Sequence, residues 1–196
     1  WNIDYSDIAA LSDLIEKEAF DYLVPGCTDR SYKSCAVVSQ GRFPGIEAPD
    51  IELGMHNKEK FRAIAEKLNL PIPETQNHNS KSLDYPVIIK PVDSFSGRGI
   101  TVIKNRNKKL FDSAIELARK NSATEEYLLE KFVSGELYSH SAFLKNKTAI
   151  KNFFVKEDST VNSFVVDTSR VIFSPPPEMQ RQIINAVAKL ARDLRL

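Results

Sequence analysis

The sequence has no long apolar run, few cysteines and almost no net charge. No stretch approaches the ~20 consecutive apolar residues of a transmembrane helix, which argues against a membrane-spanning protein. Cys27 and Cys35 are the only cysteines, too few for a disulfide framework, so a cytoplasmic location is expected. The 27 basic and 26 acidic side chains leave a net charge of +1, without a field that would attract nucleic acid or an anionic membrane. We expect neither as a partner.

Both ends of the chain lack the usual features of a terminus. The first residue is Trp1 rather than methionine, and Leu196 follows directly on a helical pattern without a polar tail. These ends predict an interior piece of a longer protein. The sequence gives no indication of an oligomeric state.

The first part of the chain alternates helical and extended patterns. Apolar residues at helical spacing predict a helix over 6–19, and the residues from 31 to 40 also appear helical. A short apolar strand is expected at 21–25, so this part is predicted to be α/β with a parallel strand. The segment 41–54, with Pro44 and Pro49, is predicted to be a linker.

A second set of elements begins at Asn57, a plausible helix cap. Apolar side chains predict helices over 57–68, around 111–118 and over 178–195. Two β-branched strands, 86–92 and 99–104, form a predicted hairpin with a long tip. A further strand is expected at 126–133, and two or three antiparallel strands over 137–166, with a turn near Asn146-Lys147. The overall fold class is α/β (α+β).

Lys90 and the hairpin tip suggest an anion site. Lys90 lies in an apolar strand and must reach solvent, a carboxylate or an anionic ligand; the alternative is an edge-strand lysine whose end reaches water. The tip, Ser94–Gly99, has small residues whose N–H groups can face a phosphate, although an ordinary flexible tip is the alternative. Its pattern matches neither a Walker A loop nor a dinucleotide fingerprint. Together the two features favour binding of nucleotide phosphates from two sides.

Further candidate positions are the strand end at 130–133, Glu136 and Lys58. The strand that ends at Val133 exposes backbone groups that can read an adenine edge, with Leu128 or Phe132 against the ring; the alternative is a solvated Glu130–Lys131 pair. Glu136 can accept hydrogen bonds from ribose hydroxyls. Lys58, at the start of a helix, is in isolation most simply an exposed lysine.

These features occur in an order that resembles a known family. The segments that carry the resemblance are Asn57-Lys-Glu-Lys-Phe-Arg62, Tyr85-Pro-Val-Ile-Ile-Lys-Pro91, Ser96-Gly-Arg-Gly-Ile100, Glu130-Lys-Phe-Val133 and Gly135-Glu136. They are similar to the ATP-grasp superfamily, in its carbamoyl-phosphate synthase and biotin carboxylase-like branch. The resemblance implies the end of a Rossmann-like pre-ATP-grasp domain (1–54), an ATP-grasp N-lobe (55–133) and an incomplete C-lobe (134–196).

The same resemblance implies an ATP site and a ligase reaction. In the family, residues matching Lys58 and Lys90 contact phosphates, and the loop with Ser94, Ser96, Gly97 and Gly99 closes over them. Residues matching Glu130, Lys131, Phe132 and Val133 read adenine, and the one matching Glu136 contacts ribose. ATP phosphorylates a small carboxylate to an acylphosphate, which an amine or other nucleophile then attacks.

The metal site of the family has no counterpart in the sequence. Family members hold Mg²⁺ with a late Glu and a Glu-x-Asn strand, and no acid after residue 136 stands in such a strand. Mg²⁺ ligands are therefore expected outside this chain, and none within it. The 196-residue piece is expected to be inactive even where its parent is a ligase. The alternative is a non-catalytic nucleotide-binding or regulatory module.

Overall fold

The chain, seen in a computed structural model, forms two compact units, Trp1–Phe61 and Arg62–Leu196. The structure describes residues 1–78 and 82–196. Helices and antiparallel sheets occur together, so the predicted mixed α/β class is confirmed. The predicted division at 54 and 133 stays a prediction. No helix in the described ranges has both the length and the hydrophobicity needed to cross a bilayer.

The first unit is helical. It contains α1 (Ile8–Glu18), α2 (Asp29–Ser39) and α3 (Pro49–His56), and α4 (Lys58–Lys67) begins near its end. The Asp7 carboxylate caps α1 by accepting from the backbone N–H of Ala10. At α2, Thr28 and Ser31 form a capping box.

Two predictions for this unit are wrong. Residues 21–25 form no strand, because all of residues 1–61 are described and contain no strand with which they could pair. The predicted linker 41–54 contains most of α3. Pro49 occupies a first-turn position of that helix, where a proline needs no N–H partner and favours the helical φ, so it begins a helix instead of excluding one.

The second unit contains a three-stranded antiparallel sheet covered by a helix. The strands β1 (Val87–Pro91), β2 (Thr101–Ile103) and β3 (Tyr127–Lys131) lie in the order β2-β1-β3. Ile89 lies opposite Thr101 on one side and Leu129 on the other. The helix α5 (Lys108–Lys120) packs on one face of this sheet. The core between them consists of the buried side chains of Val87, Ile89, Ile103, Ala114, Ala118 and Leu129.

The predicted hairpin 86–104 is confirmed, and its first strand is central. Because β1 has a neighbour on both sides, the alternative that Lys90 lies on an edge strand is wrong.

A second antiparallel sheet follows in the same unit. It contains β4 (Leu137–Lys145), β5 (Thr148–Asp158) and β6 (Thr168–Ile172) in that order, and the helix α6 (Pro177–Asp193) follows it. The predicted turn joins β4 to β5, with positive φ at both Asn146 and Lys147. The third strand, β6, lies beyond the predicted range of 137–166, because residues 159–167 form a loop.

Candidate functional site

A buried carboxylate with two cationic partners lies on the first sheet. The Glu130 side chain is fully buried, at 0% exposure. Arg62 donates to it twice, from Nε to Oε1 at 2.5 Å and from Nη2 to Oε2 at 3.3 Å. The ammonium group of Lys90 forms an ion pair with the same carboxylate. The Lys90 and Arg62 side chains are 13% and 20% exposed, so neither is completely buried.

Strand alternation explains this arrangement. Ile88 lies opposite Glu130, and Lys90 lies opposite Leu128, so these four residues share one face of the sheet. The alternating residues Val87, Ile89 and Leu129 face α5 instead. The sheet therefore has a hydrocarbon face under the helix and a charged face opposite it.

The environment shifts the pKa of both strand residues. Burial would raise the pKa of Glu130, but hydrogen bonds from Arg62 and Lys90 outweigh it and hold the pKa below its ordinary value. Burial lowers the pKa of Lys90, which the Glu130 carboxylate only partly opposes. Glu130 is thus ionised at neutral pH. The two cations and one carboxylate leave one net positive charge on this face.

The hairpin tip has the backbone expected of a glycine loop. Ser96, Gly97 and Gly99 have φ values of 55°, 70° and 73°, the left-handed region. The Ser94 hydroxyl donates to the carbonyl of Arg98 at 2.9 Å and closes the loop. A Cβ added to Gly97 would lie 2.8 Å from Phe164 in the 159–167 loop. The tip therefore approaches that loop closely, and only glycine fits there.

The last residue of β3 and the residue that follows it are anchored through their backbone amides. The backbone N–H of Lys131 donates to the carbonyl of Glu74 at 2.8 Å, and that of Phe132 to Pro86 at 2.8 Å. The Lys131 side chain points away from Glu130 and forms an exposed ion pair with Asp84. Because Glu130 is buried, a solvated Glu130–Lys131 pair is wrong.

Glu136 lies at the start of the second sheet. It forms an ion pair with Lys156 and accepts from the Tyr138 hydroxyl at 2.6 Å. The hydrogen bond from Lys156, with a smaller contribution from that of Tyr138, lowers the pKa of Glu136. The carboxylate is exposed and ionised.

Lys58 belongs to the other compact unit, where it is the first residue of α4. The Asn57 side chain caps this helix by accepting from the backbone N–H of Lys60 at 3.0 Å.

Arg62 has no predicted role in the sequence, although it ends the first segment of the family resemblance. Lys58 and Arg62 stand four residues apart on α4, the spacing that puts two side chains on one helix face. That spacing was the available signal, and it does not identify Glu130 as the partner of Arg62.

Within residues 1–78 and 82–196, no three His, Cys, Asp or Glu side chains come together in a way that could hold a metal ion.

Residues 83–195 match the family described as the ATP-grasp domain. The chain is 30% identical over 144 residues to a formate-dependent phosphoribosylglycinamide formyltransferase of Histophilus somni (strain 129Pt), covering 68% of this chain and 36% of that protein. It is 29% identical over 143 residues to the arginine-specific large chain of carbamoyl phosphate synthase of Bacillus subtilis (strain 168). That match covers 64% of this chain and 14% of that protein.

A solved structure has the same fold. The biotin carboxylase domain of Hydrogenobacter thermophilus 2-oxoglutarate carboxylase, in complex with MgADP, ADP and bicarbonate, superposes with a TM-score of 0.76 at 16% identity. The match covers 99% of this chain and 48% of that one. This chain thus spans less than half of each of the three proteins. The family match, which covers more than half of the chain, shows that the chain belongs to the ATP-grasp family.

Proposed function

We propose that this chain is the ATP-binding portion of a ligase that activates a carboxylate as an acylphosphate. One observation carries the proposal. Lys90 lies in a central strand, paired with a buried carboxylate that a second cation also holds, and the glycine loop begins three residues after its strand. A phosphate group is the ligand that this cation and loop suit best.

The glycine loop supports phosphate binding from a second direction. Ser96, Gly97 and Gly99 have left-handed backbone, a conformation that occurs in anion-binding nests. We assign the loop, with Ser94 closing it, to the nucleotide phosphates. Its approach to Phe164 suits a cover that limits access of water. Lys58 is proposed as a second phosphate-contacting lysine.

The adenine contact is assigned to Glu130–Val133. Because the amides of Lys131 and Phe132 already donate to backbone carbonyls, a purine nitrogen must accept from Val133 or beyond. Leu128 shares the Lys90 face and is 5% exposed, which suits packing against a ring. Glu136 is assigned to the ribose hydroxyls, since an ionised, exposed carboxylate is a strong acceptor.

The proposed reaction has two steps. A carboxylate oxygen of the substrate attacks the γ-phosphorus of ATP, the bond to the β,γ-bridging oxygen breaks, and ADP leaves. An amine or other nucleophile then attacks the acyl carbon, loses a proton and releases inorganic phosphate. Formate and bicarbonate, named with two of the related proteins, are small carboxylate-type groups consistent with such a substrate. We propose that Mg²⁺ arrives with ATP and that its protein ligands lie outside this chain.

A non-catalytic nucleotide-binding module is the second candidate. It is favoured by the absence of a metal-ligand cluster among residues 1–78 and 82–196. Both candidates require a nucleotide site at Lys90. Turnover by the complete protein, with a carboxylate and an amine present, separates them.

Replacement of Lys90 tests the shared part of the proposal. We expect Lys90→Met to weaken binding of Mg·ATP at least about tenfold, or ~1.4 kcal/mol, because one phosphate-facing charge is lost while the apolar stem remains. Lys104→Met, which changes an exposed lysine after β2, is the matched control and should bind as the parent does. Calorimetry with Mg·ATP and with a non-hydrolysable analogue measures the dissociation constants of both variants. Equal affinities for the two variants would contradict the phosphate assignment.

A further inference from the structure

Arg62 and Lys90 share a single carboxylate, and that sharing decides where their charges act. Glu130 accepts both hydrogen bonds from Arg62 through its two oxygens, in the fork geometry that a guanidinium forms with a carboxylate. Lys90 approaches Oε2, which Nη2 of Arg62 also contacts. The carboxylate is fully buried, so solvent does not screen these interactions strongly.

Removing Arg62 from this cluster changes the charge that Lys90 presents. Lys90 and Glu130 alone would form a closed one-to-one ion pair with no net charge. With Arg62 present, the carboxylate is already neutralised and one positive charge remains. The Lys90 ammonium has three N–H donors, and one bond to Glu130 leaves others for a ligand.

We propose that Arg62 is a positioning residue of the nucleotide site, which acts through Glu130 so that the positive charge of Lys90 is directed to a phosphate group. The inference rests on the proposed function. It assigns Glu130 a second role, as the buried acceptor that aims Lys90, beyond the adenine contact. It also gives the helix α4 a function in a site otherwise made from strands and a loop.

The three residues come from three elements, which keeps the arrangement rigid. Arg62 lies on α4, Lys90 on the central strand β1 and Glu130 on β3, paired in register with β1. On its other edge, Glu130 forms a β-bridge with Thr75. A lysine at position 62 would donate as a point charge and could not form the two parallel hydrogen bonds to Glu130. Arg62→Lys should therefore bind a non-hydrolysable ATP analogue more weakly than the parent.

Two variants and two ligands test this role. We expect Arg62→Met to weaken binding of a non-hydrolysable ATP analogue about tenfold, equal to ~1.4 kcal/mol, and binding of adenosine less than about twofold. The double variant Arg62→Met/Glu130→Gln removes the negative charge as well. Lys90 is then free of its ion pair, and analogue affinity should return to within about threefold of the parent, ~0.65 kcal/mol. Arg106→Met, at an exposed position, is the control.

Each outcome has a defined meaning. If the double variant binds the analogue as weakly as Arg62→Met does, the proposal is overturned, since Arg62 would then contact the phosphates directly. Unchanged analogue affinity in Arg62→Met would also overturn it, and the loss in Lys90→Met would leave the proposed function intact. Absence of analogue binding by the parent would instead overturn the proposed function. If Arg62→Met fails to fold by circular dichroism, the double variant decides, because it has neither an unmatched acid nor the arginine.

Discussion

At the scale of single residues, the site depends on how a buried lysine keeps its charge. Lys90 is desolvated in a central strand, which disfavours its ammonium form, and the adjacent Glu130 carboxylate offsets only part of that cost. The pKa of Lys90 therefore lies below its ordinary value of 10.5. Its protonation state, and with it the attraction for phosphate, should respond to mildly alkaline pH more than that of an exposed lysine.

This shift predicts the pH dependence of nucleotide binding. As pH rises through the lowered pKa of Lys90, the ammonium loses a proton and the affinity for a non-hydrolysable ATP analogue should fall, before pH reaches 10.5. In Lys90→Arg the charge persists across this range, because a guanidinium does not deprotonate there. Calorimetric titrations between about pH 7 and pH 10 measure both curves. Identical curves for the two proteins would contradict the prediction.

The close approach at Gly99 gives a second residue-scale prediction. A Cβ there would lie 2.8 Å from both the Asn121 Cβ and the Pro91 Cγ, and φ is +73°. Gly99→Ala should lower the free energy of unfolding by more than about 2 kcal/mol, since steric overlap adds to backbone strain. Urea denaturation followed by circular dichroism measures this loss.

Gly135 provides the control for that substitution in the same compact unit. It also has a positive φ, +153°, but no atom lies within 4 Å of the position of an added Cβ. Gly135→Ala therefore introduces backbone strain without overlap and should cost less than Gly99→Ala. A larger loss in Gly135→Ala would show that packing at Gly99 is not the cause.

At the scale of elements, local pattern predicts most of the second unit. Alternation and β-branching identify β1, β2 and β3, and helical spacing identifies α5 and α6, because these signals come from neighbouring residues. The pairing of β1 with β3 and the Arg62–Glu130 contact, which spans 68 positions of sequence, are tertiary choices that no local pattern contains. In the first unit, a proline suggested a linker where it begins a helix.

The loop between β5 and β6 is ordered by one carboxylate. Asp167 accepts from the hydroxyl of Thr160 at 2.7 Å and from the backbone N–H groups of Thr160 and Val161 at 2.6 and 3.1 Å. These hydrogen bonds lower the pKa of Asp167 from 3.8 to about 2. Since the folded-state value is the lower one, the carboxylate stabilises the loop above pH 3.8, and that stabilisation is lost as pH falls through about 2.

Thr160→Val tests this account of the loop. The substitution removes the hydroxyl donor, the largest contribution, but keeps both amide donors. We expect the pKa of Asp167 to rise toward 3.8 without reaching it. Carbon-13 NMR of the Asp167 carboxyl measures the titration directly. Thr148→Val, a change at the start of β5, should leave the midpoint near 2, and an equal shift in both variants would contradict the assignment.

At the scale of the whole molecule, the charges divide into the buried cluster that we propose faces a nucleotide and a structural set. The net charge is only +1, yet the Arg62–Glu130–Lys90 cluster keeps a positive charge at one place. The amino-acid composition argues against attraction of anions to the molecule as a whole. It does not indicate which charged side chains the fold brings together. Order and spacing of motifs predicted the family, whereas the burial of Glu130 and the role of Arg62 needed the fold.

The acids that follow Glu136 determine what this chain can do with bound ATP. Four of these five carboxylates have partners within the protein: Asp158 pairs with Arg170, Asp167 holds its loop, Glu178 pairs with Arg181, and Asp193 pairs with Lys67. None of these four belongs to a cluster that could hold a metal ion among the described residues. Carboxylates committed in this way do not assemble the charge that stabilises phosphoryl transfer.

We therefore predict that the 196-residue chain binds Mg·ATP but turns it over more slowly than about 1 s⁻¹, the low end of ordinary enzymes. In the proposed assignment, Lys90 and the glycine loop bind the phosphates, whereas transfer also needs Mg²⁺ ligands, which we expect outside this chain. Calorimetry measures the first property, and a coupled ADP assay with small carboxylates and amines measures the second. Lys90→Met is the control, because any turnover that persists in this variant comes from a contaminating ATPase. Turnover at about 1 s⁻¹ or faster that disappears in Lys90→Met would contradict the prediction and assign catalysis to this chain.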